Sequence, residues 1–218
     1  MPTYTVIDQV SNIGDGPVAF ADEGDPQPLH LQQGDMDGAC TLYSASMALI
    51  ALGLFRREKL TATEAFDGRT RIGKFQRDLA AGFSALVKEG VNADEVTSVL
   101  RRTFPPTALQ ISFEAGTNNK VAKFIVENLR LNRPVVVAYY GDDVAHACLA
   151  VGYADTIEGH LPEILLLDPG SPAEKFCSWN DTLYPIQRHA RGKRPFRLTS
   201  QAGQVELEFG WALALWRP

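Results

Sequence analysis

Cysteine is scarce in this chain, with three residues, Cys40, Cys148 and Cys177, among 218. Three widely separated thiols build no disulfide framework, and with no CxxC pair among them they show no zinc spacing. Free thiols suit a reducing compartment, so the expected location is cytoplasmic, with export by a non-classical route left open. Long apolar runs are missing as well. No stretch approaches the ~18 consecutive apolar residues of a spanning helix, and Met1–Asp8 lacks the basic start and apolar core of a signal peptide, so no membrane partner is expected. Nor is there an excess of positive charge: 21 Lys and Arg against 26 Asp and Glu leave a net charge of -5, which argues against a nucleic-acid partner. GxGxxG, P-loop and HExxH patterns, internal repeats and low-complexity linkers are also absent, so neither a cofactor nor a metal is implied.

What is present is enough apolar material, 45% of the residues, to bury a core in one domain spanning 1–218. The first 32 residues read as short β pieces (Thr3–Asp8, Val18–Ala21, Leu29–Gln32), a lead-in to the main body. Cys40–Leu54 is apolar, Ala- and Leu-rich and free of Pro, which predicts a buried helix. Lys74–Glu89 carries apolar residues at helical spacing before Gly90, and Asn92 offers an N-cap to a helix through about Arg102. Ala108–Phe113 alternates like a strand, and Asn118–Leu131 reads as an amphipathic helix. From Pro134 the texture changes to β-rich runs: Val135–Tyr140, Ala145–Tyr153, Glu163–Asp168, Arg197–Thr199, Gln204–Phe209 and Trp211–Trp216. A helical front half and a β-rich back half predict an α+β fold, its helices packed on a mainly antiparallel sheet.

The chemistry concentrates in three places. Gln33-Gly-Asp-Met-Asp-Gly-Ala-Cys40 ends a glycine-bearing loop in a cysteine at a helix start. There the helix dipole and free backbone N–H groups favour the nucleophilic thiolate over the thiol. His146 opens the strand His146-Ala-Cys-Leu-Ala-Val-Gly-Tyr153, and Asp168 ends the apolar run Leu165-Leu-Leu-Asp168-Pro-Gly170. Pairing of these two strands brings the carboxylate beside the imidazole, where it can orient the ring and stabilise its cation. Each piece has a plainer reading: Cys40 as a core residue, His146 as a satisfied strand histidine, Asp-Pro-Gly as a turn. Their joint order favours the chemical one.

This ordered set resembles the papain-like cysteine peptidases, with the shorter C39-like and bacterial effector branches nearest in size. Their nucleophile loop, Gln-Gly-x-x-Gly-x-Cys, is matched here with one extra residue between the glycines. Their histidine strand, His-Ala-x-x-x-Val-Gly-Tyr, and the Asp form of their third residue are also matched. The likeness covers roughly Gln33–Leu54 and Pro134–Gly170 and departs at Thr41, where papain has an aromatic residue. It implies Cys40 as nucleophile, His146 as general base and acid, Asp168 as its orienter, and the Gln33 side chain in the oxyanion hole, with Gln32 the alternative. The implied partner is a protein or peptide substrate, together with an immunity or delivery partner if the chain is an effector. The implied activity is hydrolysis of an amide bond. The same triad also serves glutamine deamidases and transamidases, and the same fold can serve as a non-catalytic binding domain.

Other marks have bland explanations beside functional ones. Asp35, Asp37, Asp142 and Asp143 could form an acidic cleft mouth or be solvated turn carboxylates. His189–Arg194 reads as a solvated basic loop, Cys148 and Cys177 as structural, His30 and His160 as loop residues without metal spacing, and the three tryptophans as packing anchors.

Overall fold

The computed structural model describes residues 3–20, 25–34, 39–60, 67–83, 91–142, 144–155, 162–186, 194–200 and 203–218. Its back half is β6 (Val135–Tyr140), β7 (Ala145–Asp155), β8 (Glu163–Leu167), β9 (Asp181–Pro185), β10 (Phe196–Ser200) and β11 (Gly203–Trp216). β6 pairs β7, β7 pairs β8, and the ladder continues through β9, β10 and β11 back to β6, every pairing antiparallel. Six strands therefore close on themselves as a barrel, where the sequence suggested an open layer. Closure leaves fewer unpaired edges. The Val135–Ala138 run and the Ile164–Leu167 run are buried, which is why both read as near-continuous apolar segments rather than alternating ones.

Two strands extend the barrel outward. β1 (Thr3–Val6) adds to β7, and β5 (Gln110–Ala115) adds to β11. The N-terminal residues are thus sewn into the main sheet, which corrects their reading as a lead-in. A separate small sheet joins β2 (Val10–Asn12), β3 (Pro17–Ala19) and β4 (Gln27–Pro28). The Gly of the His146–Tyr153 motif gains a reason here. Gly152 lies opposite Val6, and a Cβ on it would run into the Thr5 carbonyl oxygen. Only glycine lets the β1 backbone come this close.

The helices lie as expected, with shifted ends. α1 (Cys40–Ala51) has ten of its twelve residues buried, matching its lack of a polar face. A short helix, α2 (Arg57–Leu60), follows it, and then comes α3 (Arg71–Phe83), beyond which the predicted stretch to Glu89 lies outside the described residues. α4 (Ala93–Thr103) begins at Asn92 with a full capping box: Asn92 accepts from the Glu95 N–H and Glu95 accepts from the Asn92 N–H, each at 3.0 Å. α5 (Asn118–Arg130) buries Val121, Ala122, Ile125, Val126 and Leu129. α1 packs on β7 and β6, and α5 on β11, β7 and β6, so helices cover the barrel strand that carries His146. β9, which the sequence reading left unassigned, supplies the strand that completes the ring. Among the described residues no helix is long and apolar enough to cross a membrane.

Candidate active site

Cys40 is the first residue of α1 and is 8% exposed. The N-cap residue, Ala39, makes no side-chain capping bond, and the Cys40 thiol lies in the first turn, where helix N–H groups favour negative charge. Loop residues 35–38, including Asp35 and Asp37, lie outside the described residues. α1 is joined to the histidine strand by Ser44, whose hydroxyl donates to the Ala147 carbonyl at 3.1 Å.

His146 and Asp168 come together as the strand order requires. Leu149 faces Leu167 across β7 and β8, which sets the end of β8 beside the start of β7. His146 Nε2 lies 2.6 Å from Asp168 Oδ1, with both side chains largely buried. This commits Nε2 to the carboxylate and leaves Nδ1 as the other ring nitrogen. The Tyr139 ring stands edge-on to the imidazole at 5.8 Å between centroids, because the two residues are opposite one another in β6 and β7. His146 is also near enough to Cys40 for each to shift the other's titration.

Charge states follow from these contacts. Burial pushes the Cys40 thiol up, but the hydrogen bond and positive charge of His146, with backbone N–H groups, outweigh it and hold the thiol below its ordinary value. Burial alone would lower the His146 value, whereas the Cys148 sulfur beside the ring and the hydrogen bond to Asp168 raise it above that of a free imidazole. The Asp168 bond is the cause that persists while Cys148 is a thiol. Burial raises the Asp168 value, and its bonds to His146 and the Gly170 N–H more than reverse that, leaving it ionised. Cys148, two residues along the same strand face, behaves oppositely to Cys40. It is fully buried, meets the Tyr139 hydroxyl at 3.3 Å, and burial together with the Asp168 charge pushes it up to about 12. Cys148 therefore remains a thiol and forms the floor under His146.

His146, Cys148 and Asp168 offer donor atoms within 4.8 Å of one another, a set of the size that holds a metal ion. The 2.6 Å bond between His146 and Asp168 occupies two of those donors with a shared proton, which an ion would have to displace.

The loop after Asp168 is heavily tied down. Gly170 N–H donates to Asp168 Oδ1 at 2.7 Å, and a Cβ on Gly170 would meet both that oxygen and His146 Nε2 within 3.4 Å. The Gln33 N–H donates to the Pro169 carbonyl at 2.8 Å, which sets half-buried Gln33 beside this loop, while Gln32 is exposed. Two residues to which the sequence reading gave no role at the site also converge here. Asn180 bonds the Asp168 backbone on both sides, and His30, expected as a plain loop residue, is buried with Nε2 at 2.9 Å from the Asp168 carbonyl. Their bonds go to backbone groups, which leave no spacing pattern to read.

A third such residue is Asp181, buried in β9. One carboxyl oxygen accepts from the Thr182 N–H at 2.7 Å, and the other has no hydrogen-bond partner among the described residues. Burial, reinforced by the Asp168 charge, pushes Asp181 up to about 7.

Of the other marks, exposed Asp142 pairs with Arg194 at 2.5 Å, so one proposed acidic-mouth residue is neutralised by the basic loop. Asp143, His160 and residues 189–193 lie outside the described residues. Cys177 is half-buried and unbridged. Trp179 stacks on Tyr4, Trp211 is buried, and Trp216 lies under Arg133, all packing roles.

No family model and no curated protein matches this chain. Among solved structures it is similar to the crystal structure of UfSP from C. elegans, at 14% identity and a TM-score of 0.48, over 99% of this chain and 34% of that one. The chain thus spans about a third of that protein's length. A likeness at this level bears on neither activity nor substrate.

Proposed function

We propose that the chain is a papain-like cysteine hydrolase, one domain over 1–218, that cleaves an amide bond in a protein or peptide. The observation that carries this reading is the placement of Cys40 at a helix N-terminus together with His146, whose Nε2 is held 2.6 Å from Asp168 and whose charge acts to lower the Cys40 thiol. A nucleophile, a base and a group that orients the base stand in that order.

In this mechanism the Cys40 thiolate adds to the substrate carbonyl, forming the C–S bond and an oxyanion. The Cys40 N–H and the Gln33 side-chain amide donate to that oxygen, and losing one such donor typically costs ~10²–10³ in rate. Collapse breaks the C–N bond, and the His146 imidazolium gives its proton to the departing amine. His146 then takes a proton from water as the oxygen attacks the thioester, releasing the acid and restoring Cys40. Asp168 holds Nε2 throughout, which leaves Nδ1 for the proton exchange with the sulfur.

The test is the rate of Cys40 alkylation by iodoacetamide between pH 4 and 9, followed by peptide mass mapping, in wild type and His146→Ala. Fast alkylation at pH 5 that disappears in His146→Ala is the expected result. A wild-type Cys40 that titrates like a free thiol of pKa ~8.5 overturns the reading. Product mass then assigns the reaction, since hydrolysis of the main chain gives two fragments and deamidation leaves one chain.

A further inference from the structure

We infer that Asn180 is the positioning residue for the His146–Asp168 pair, holding the Asp168 peptide at both ends so that its carboxylate stays aimed at His146 Nε2. The inference rests on Cys40 and His146 being the reacting pair. Asn180 immediately precedes β9, and its own N–H donates to the Leu166 carbonyl at 3.0 Å, anchoring it to β8 just before Asp168. Its side-chain Oδ1 accepts from the Asp168 N–H at 2.7 Å. Its Nδ2 faces three carbonyl oxygens, those of Asp168 at 2.9 Å and of Ser171 and Pro172, each at 3.1 Å.

The orientation of the amide is unambiguous, because an N–H needs the oxygen and three carbonyls need the nitrogen. Only a side chain with an acceptor and donors on one rigid plane can serve both. Aspartate keeps the acceptor and loses the donors, and alanine loses everything. His30 completes the grip. A carbonyl can only accept, so the 2.9 Å approach of His30 Nε2 to the Asp168 oxygen requires a proton on that nitrogen. The 3.3 Å contact between His30 Nε2 and Asn180 Nδ2 is then the meeting of two donors over one oxygen, not a bond between them. With its N–H and C=O both held, the Asp168 peptide cannot rock. Its carboxylate is further held by the Gly170 N–H at 2.7 Å, and the Ser171 hydroxyl lies 3.4 Å from Oδ2. Rocking would lengthen the 2.6 Å bond to His146 and weaken the imidazolium that lowers the Cys40 thiol.

The experiment compares wild type, Asn180→Ala and Asn180→Asp by two readouts. One is the pH profile of Cys40 alkylation by iodoacetamide, with the thermal midpoint recorded beside it. The other is the proton NMR signal of the His146 Nε2 hydrogen shared with Asp168. In Asn180→Ala the alkylation rate at pH 5 should fall about tenfold, as the thiol rises by about one pKa unit, and the shared-proton signal should move upfield or vanish. Asn180→Asp fills the same space and should not restore either readout, which keeps the test decisive where alanine lowers the yield of folded protein. A purely structural Asn180 would lower the thermal midpoint while leaving the profile and the proton signal of the folded fraction at wild-type values, and that result overturns the inference. If wild-type Cys40 titrates as a free thiol, the hydrolase reading fails separately, and the NMR signal still reports whether Asn180 holds the pair.

Discussion

Two buried aspartates thirteen positions apart respond to burial in opposite ways, and the difference is visible in how stability should follow pH. Asp168 has strong partners and is held below the ordinary carboxylate range, so its contribution exists above pH ~4 and is lost as pH falls through its folded value. His146 is raised, so its contribution is complete below pH ~6.5 and fades only as pH rises toward its folded value. Asp181 lacks such partners. Ionising near about 7 when folded against 3.8 otherwise, it keeps a proton that the unfolded chain has already released, and stability falls as pH rises through that interval. Asp181→Asn should therefore raise the thermal midpoint by several degrees at pH 8 and by nothing at pH 4, measured by calorimetry across that range. An equal shift at both pH values would mean that ionisation is not the cause. At this scale the sequence disclosed where Cys40, His146 and Asp168 lie, because a cysteine at a helix start and a histidine and carboxylate at strand ends leave linear motifs. Asn180, His30 and Asp181 left none, since their partners are main-chain atoms or, for Asp181, the charge of Asp168.

Periodicity made the helices legible: α4 was recognisable from Asn92, and α1 from its unbroken apolar run. The strands were less so. β9 has buried Thr182 and Asp181 beside Leu183, a composition that resembles a turn until its partners are known. β11 crosses Gly210 as one strand through a register shift between Phe209 and Trp211, where the sequence suggested two. Contacts between elements now make specific demands. Ser44→Ala removes the bond from α1 to the Ala147 carbonyl and should cost about 1 kcal/mol by urea denaturation, with more if that carbonyl finds no other donor. Gly152→Ala places a methyl against the Thr5 carbonyl and should release β1 from β7. Hydrogen exchange should then rise in Thr3–Val6 first, and unchanged protection there would refute the close-approach explanation.

Closure of the barrel decides where the whole molecule resists opening. β6 is paired on both edges and almost wholly buried, and the central part of β7 is likewise enclosed, whereas the small sheet of β2, β3 and β4 has short strands and few bonds. Amides of Val136, Val137, Cys148 and Leu149 should exchange slowest in native-state hydrogen exchange, and those of Val10–Asn12 much faster. Similar rates in both regions would contradict a barrel-centred core. The same ring also separates the parts of the candidate site along the chain. Cys40 is made early, but His146, Asp168, Asn180 and the closing β11 all come more than a hundred residues later. At translation speeds of ~5–20 residues per second, α1 spends on the order of ten seconds outside the ribosome before its imidazole exists. Throughout that interval Cys40 lacks the partner that lowers its thiol, and the proposed nucleophile can be switched on only after His146, Asp168 and β11 have been made.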